Sequence, residues 1–194
     1  MGSIIFVVST HNDAKKSRFF FSPPFAHLLS FIKLICAFAS AILFNLENLS
    51  NFLTFVALYL IFNQLTTYIV NENPESRIEY IDLASSFFSE VVILTGILMG
   101  YLMDDSSTAR LVVLSLLVVT LAISYVNAKF GSMDISTKFV YYENSTRIGL
   151  LLLGGIISQF FAFPLMFILL GLLMLSLIIL LLQLFYANSK LTTN

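Results

Sequence analysis

Long apolar runs that carry almost no charge divide this chain, and no other feature constrains its fold as strongly. A bilayer core of about 30 Å is crossed by roughly 20 helical residues rising about 1.5 Å each, so runs near that length bounded by polar clusters are the ones that count. Six meet that description: Ala26 to Phe44, Phe52 to Val70, Ile81 to Met103, Leu111 to Val126, Ile148 to Phe163 and Pro164 to Tyr186. Composition agrees, because 58% of the 194 residues are hydrophobic and 11% charged, against about 45–50% and about 25% in a soluble domain. A water-soluble core of this size cannot hide that much apolar surface. The expected fold is all-α and integral to the membrane, with a cytoplasmic, membrane-surface segment over residues 1–25, a six-helix domain over 26–186 and a tail over 187–194.

Lys33 interrupts the first run, two turns from its start. The expectation from sequence is that its stem lies along the helix while the ammonium snorkels back to the interface. Pro164 suits the first turn of a new helix, so the fifth and sixth spans read as a tight hairpin. The opening Met1 to Thr10 reads as neither a signal peptide nor a span, and Arg18 to His27, aromatic and basic, reads as lying along the membrane surface.

Orientation follows from the basic residues. Lys15, Lys16 and Arg18, then Arg77, then Lys129, Lys138 and Arg147, and finally Lys190 fall on one side of an alternating six-span path, with Arg110 alone on the other. The positive-inside rule then places both termini in the cytoplasm. Clumped charges that nearly cancel, with no basic stripe, argue against a nucleic-acid partner. Cys36 stands alone, so no intrachain disulfide is open to it, and it reads as a small core filler.

Charge at membrane depth is costly, which makes Asp82 and Glu90 of the third span the most informative residues. With Ser86 between them they are spaced i, i+4, i+8 along one helical face. Asn63, Thr66 and Thr67 form a second polar stripe in the second span. Two readings stay open: a polar or metal-bearing cavity, or hydrogen bonds between helices worth about 0.6 kcal/mol each. Glu90, about 12 Å deeper than Asp82 along the axis, needs a partner or a proton. Gly96 and Gly100 form a small-residue step that lets a second helix approach, within the chain or in a homodimer or heterodimer. Neither a Cys and His pairing at metal spacing nor a phosphate-cradling glycine loop occurs.

The third span also carries a recognisable pattern. Ile81-Asp82-Leu83-Ala84-Ser85-Ser86-Phe87-Phe88-Ser89-Glu90, with Gly96-Ile97 after an apolar run, resembles the third helix of the CDP-alcohol phosphatidyltransferases. Ser124-Tyr125-Val126-Asn127-Ala128-Lys129 is similar to the basic motif after that family's fourth helix, and Glu143 to Arg147 to the one before its fifth. The resemblance implies a six-helix fold that transfers a phospholipid head group from a CDP-lipid to an alcohol, with Mg²⁺ or Mn²⁺ held by three Asp and a fourth Asp as base.

Carried over by position, Asp82 matches the third Asp and Ser86 stands at the base. Asn63 and Thr66 replace the first two Asp, and Thr67 replaces the signature Gly, so these residues mark a degraded CDP and metal site. Glu90 is a further candidate ligand, and Lys129 and Arg147 are candidate phosphate contacts, with membrane anchoring as the alternative role. A single Asp does not hold two hard divalent ions, and a Ser hydroxyl does not accept a proton near neutral pH as an Asp does. The expectation is therefore a member of this fold with weak or lost activity. Two other readings stand beside it: a non-enzymatic membrane subunit or lipid-binding partner, and a small transporter component using Asp82 and Glu90.

Overall fold

The structure, a computed structural model, describes residues 23–72, 76–103, 106–131, 144–161 and 164–191. These form six helices: α1 (Pro23–Asn45), α2 (Leu49–Glu72), α3 (Ser76–Met103), α4 (Ser107–Gly131), α5 (Asn144–Phe161) and α6 (Leu165–Leu191). Each expected span lies within or against one of them, and the helices run a few residues past the apolar limits because their polar ends continue into the interface. The expected surface segment before Pro23, the Lys138 region and Glu143 lie outside the described residues.

Five of the helices are long and apolar enough to cross a membrane: α1, α2, α3, α4 and α6. The apolar part of α5, Ser145–Phe161, is shorter. Large side chains such as Phe31, Tyr125, Phe160 and Phe185 point outward over the whole bundle, a surface that only lipid can cover. The chain is an integral membrane protein.

Local chemistry fixes the helix ends. At the end of α1 the Asn48 N–H donates to Leu43 O and the Glu47 N–H to Phe44 O, both at 3.1 Å. These paired bonds close a Schellman turn in which Glu47, at φ 56°, holds the left-handed position usually given to Gly. Asn48 then caps α2, its Oδ1 accepting from the Asn51 N–H at 3.1 Å. Pro164 sits immediately before α6 and its carbonyl accepts from the Phe167 N–H.

Packing centres on α1, which lies against α2 and α3, while α5 joins α2 to α6 and α4 lies along α6. The core collects Phe52, Val56, Tyr59, Ile93, Ile97, Leu116, Ile148, Leu151 and Leu169. Leu116 and Leu172 line one small cavity, and the Gln183 amide donates to Asn127 Oδ1 at 3.0 Å. Both pairs share one sequence offset, so α4 and α6 run parallel. Buried Val113, Leu116, Thr120 and Ile123 are spaced alternately by three and four, the pattern of a coiled-coil seam.

The Gly96 and Gly100 step is filled from within the chain. A Cβ at Gly96 would overlap Ala41, and one at Gly100 would press on the Phe44 ring. Closeness between α1 and α3 thus uses the step that the sequence also offers to dimerisation.

Candidate functional site

The site grows from α3. Its i, i+4 spacing brings Asp82 and Ser86 onto the face that meets α1 and α2, where Lys33 and Asn63 point inward. Lys33 is fully buried, at 0% exposure. Its Nζ donates to Ser86 Oγ at 2.8 Å, to Asn63 Oδ1 at 3.2 Å, to the Asp82 carbonyl at 3.2 Å and to the Asp82 carboxylate Oδ1. Ser86 Oγ stands 2.8 Å from both Asn63 Oδ1 and the Asp82 carbonyl, so its one proton goes to either.

The snorkelling expected of Lys33 is therefore corrected. Bending back to the interface would leave the Asp82 carboxylate buried against α1 without a counter-charge, which costs several kcal/mol. Four oxygens on two neighbouring helices give the ammonium a better-satisfied position inside the bundle. From sequence alone Lys33 reads as an interruption of an apolar run. The signal that could have found the role of Lys33 is the presence of a lone cation in the first span and carboxylates in the third, since a charge is tolerated at depth only with a counter-charge.

Two turns further along α3, Glu90 meets Arg147 of α5. Arg147 Nε donates to Oε1 at 2.6 Å and Nη2 to Oε2 at 2.7 Å, a two-pronged charged contact. Both residues are buried, Glu90 at 1% and Arg147 at 3% exposure. The partner that Glu90 requires is thus Arg147, and both its oxygens are engaged. Tyr59 of α2, fully buried, lies between the two clusters, its hydroxyl reaching the Ser86 carbonyl over a long 3.5 Å.

The remaining candidates lie elsewhere. Thr66 and Thr67 donate to the carbonyls one turn back on α2, Phe62 O at 2.7 Å and Asn63 O at 3.0 Å, and stay out of the Lys33 cluster. Lys129 is exposed in the last turn of α4. Asn127, at a position where the resemblance expects a basic residue, is paired with Gln183.

The donor set does not suit a divalent metal ion. Such an ion draws several anionic oxygens into its shell. Here one carboxylate, one amide oxygen and one hydroxyl converge on an ammonium that already supplies the positive charge. Among the described residues, no group of three or more His, Cys, Asp or Glu could hold a metal ion.

No family model and no curated protein matches the sequence. Solved structures do. The Mycobacterium tuberculosis phosphatidylinositol phosphate synthase with CDP-DAG bound is similar at a TM-score of 0.70 and 19% identity, over 82% of this chain and 84% of that one. The same synthase with manganese and citrate gives 0.70 and 19%, over 84% and 80%. Its apo form gives 0.69 and 18%, over 84% and 87%. The chain therefore has the fold of a phosphatidylinositol phosphate synthase, the fold that the resemblance to CDP-alcohol phosphatidyltransferases implies.

Proposed function

We propose that this chain is a non-catalytic relative of the CDP-alcohol phosphatidyltransferases, a six-span, lipid-contacting membrane protein with both termini in the cytoplasm. One observation carries this reading: the buried Lys33 ammonium sits on Asp82, Asn63 and Ser86. Those are three of the positions at which the resemblance places metal ligands and base. The cation of the site is built into the chain, tethered to α1, and it cannot leave, exchange or polarise a pyrophosphate as a divalent ion does. At the base position Ser86 accepts from Lys33, and its own proton is committed to Asn63 or to the Asp82 carbonyl.

Within this reading α5 crosses the membrane as the fifth span, its short apolar part continued by the hairpin at Pro164. The positive side of the bundle, with Lys129 at the end of α4, faces the cytoplasm. A transporter role gains nothing from the geometry, because Asp82 and Glu90 are both neutralised by cations in place.

The test is CMP release by the protein reconstituted in lipid, with CDP-lipid, Mg²⁺ or Mn²⁺ and a panel of free and phosphorylated alcohols, beside Asp82→Asn. The expected outcome is no release above protein-free vesicles with any acceptor. Release by the wild type that Asp82→Asn abolishes would overturn the proposal and restore the enzyme reading.

A further inference from the structure

A cavity of about 280 Å³ opens at the far end of the bundle from Lys33, where α1 ends, α2 and α6 begin and α3 ends. Gly100 on its wall is 18 residues beyond Asp82, about 27 Å along α3. The cavity is separate from the site described above. Since every element around it is at a helix end, it lies at the level of lipid head groups.

Its lining has one chemical character. Phe44 and Tyr101 contribute aromatic rings, packed edge to face with centroids 5.8 Å apart. Asn45 has its amide nitrogen committed to the carbonyls of Ala41 at 2.8 Å and Gly96 at 3.0 Å, which leaves Oδ1 as the acceptor on the Gly100 side. Glu47 brings a carboxylate that has no ion-pair partner among the described residues. Leu49 and Leu165 complete an apolar floor, and among the described residues no cation lines the cavity. Aromatic rings, a neutral acceptor and an anion together attract a positive, partly apolar group.

Two further features point the same way. Glu47 holds the left-handed position of the α1 turn at φ 56°, where Gly is usual and a long side chain is disfavoured. A strained residue whose side chain borders a cavity is a sign of function rather than of stability. Gly100, for its part, leaves room for the Phe44 ring, which any side chain there would push aside.

From these observations we infer that the cavity binds an organic ammonium group, supplied by the head group of a zwitterionic lipid or by a free small amine. The cation sits on the cavity side of the Phe44 and Tyr101 rings, with Glu47 as its counter-charge and Asn45 Oδ1 as a further acceptor.

The experiment uses the full chain in detergent, offered an equimolar mixture of phosphatidylethanolamine, phosphatidylcholine and phosphatidylglycerol, with retained lipid read by native mass spectrometry. A second arm titrates choline and ethanolamine chlorides by calorimetry. Wild type is expected to retain the ammonium lipids over phosphatidylglycerol by roughly tenfold. Glu47→Gln is expected to remove that preference, and so is Glu47→Gly. The Gly variant relaxes the turn, so its melting temperature rises while binding falls, and loss of the fold is thereby separated from loss of the site. Binding in the second arm as well identifies the bare amine as sufficient; binding in the first alone identifies the lipid. Equal retention of the three lipids together with silent titrations, or a preference untouched by both Glu47 variants, would overturn the inference.

Discussion

Two buried ion pairs hang from the same helix face, two turns apart, and they are built differently. Lys33 presents a compact charge to four oxygens from three residues, while Arg147 presents a planar fork to the two oxygens of Glu90. The first arrangement is that of a cation site, in which donors surround a point charge and can be exchanged one by one. The second is that of a lock, in which a planar fork meets both oxygens of one carboxylate and geometry does the selecting. A lysine suits a shell of separate oxygens, as an arginine suits the join between α3 and α5.

The largest effects come from breaking either pair outright. Arg147→Met leaves Glu90 charged in the bundle, and Lys33→Met does the same to Asp82. Each is expected to cost about 3–5 kcal/mol, read as a shift in SDS-induced unfolding from mixed micelles. Pairwise removal should be far milder. Lys33→Met with Asp82→Leu is expected to recover most of the loss, since well-packed apolar replacements of buried pairs are often neutral or stabilising. A double variant as unstable as the Lys33 single would mean that the pair holds the bundle through more than mutual neutralisation.

How much of this was legible in the sequence differs between spans and contacts. All six helices were, five of them as apolar runs long enough to cross a bilayer and α5 as a shorter one. The Asp82, Ser86 and Asn63 grouping was also legible, from helical spacing and the resemblance together. Its cation was not: Lys33 is close enough to the start of its run to snorkel, and only the position of α1 against α3 decides otherwise. Nor was the Glu90–Arg147 pair, since 57 residues separate the partners and Arg147 read equally well as an anchor or a phosphate contact. Sequence periodicity shows which face a residue occupies, whereas which helix lies opposite is set by packing such as the Gly96 contact with Ala41.

Exchanging the cations while keeping the charge sharpens the contrast between lock and site. Arg147→Lys loses one prong of the contact with Glu90 and is expected to cost about 1.5–3 kcal/mol. Lys33→Arg forces a larger, planar group into a shell shaped for an ammonium, and overpacking of about 1–3 kcal/mol is expected. If Lys33→Arg were silent in the same unfolding assay, the shell would be loose and the cation-site description would fail.

The smallest effects test the shell oxygen by oxygen. An ammonium has three protons, and with Ser86→Ala the Asp82 carboxylate, the Asp82 carbonyl and Asn63 Oδ1 still provide three acceptors for Lys33. The loss should therefore be only about 1 kcal/mol, one ordinary hydrogen bond. Ser89, one turn along α3 on the Glu90 side, gives the matching control, because its buried hydroxyl has no hydrogen-bond partner among the described residues. Ser89→Ala removes an unsatisfied group and is expected to be neutral or slightly stabilising in the same assay. A loss of several kcal/mol in Ser86→Ala would show that the hydroxyl is indispensable to Lys33. The ammonium would then depend on one matched partner rather than on a shell of replaceable oxygens.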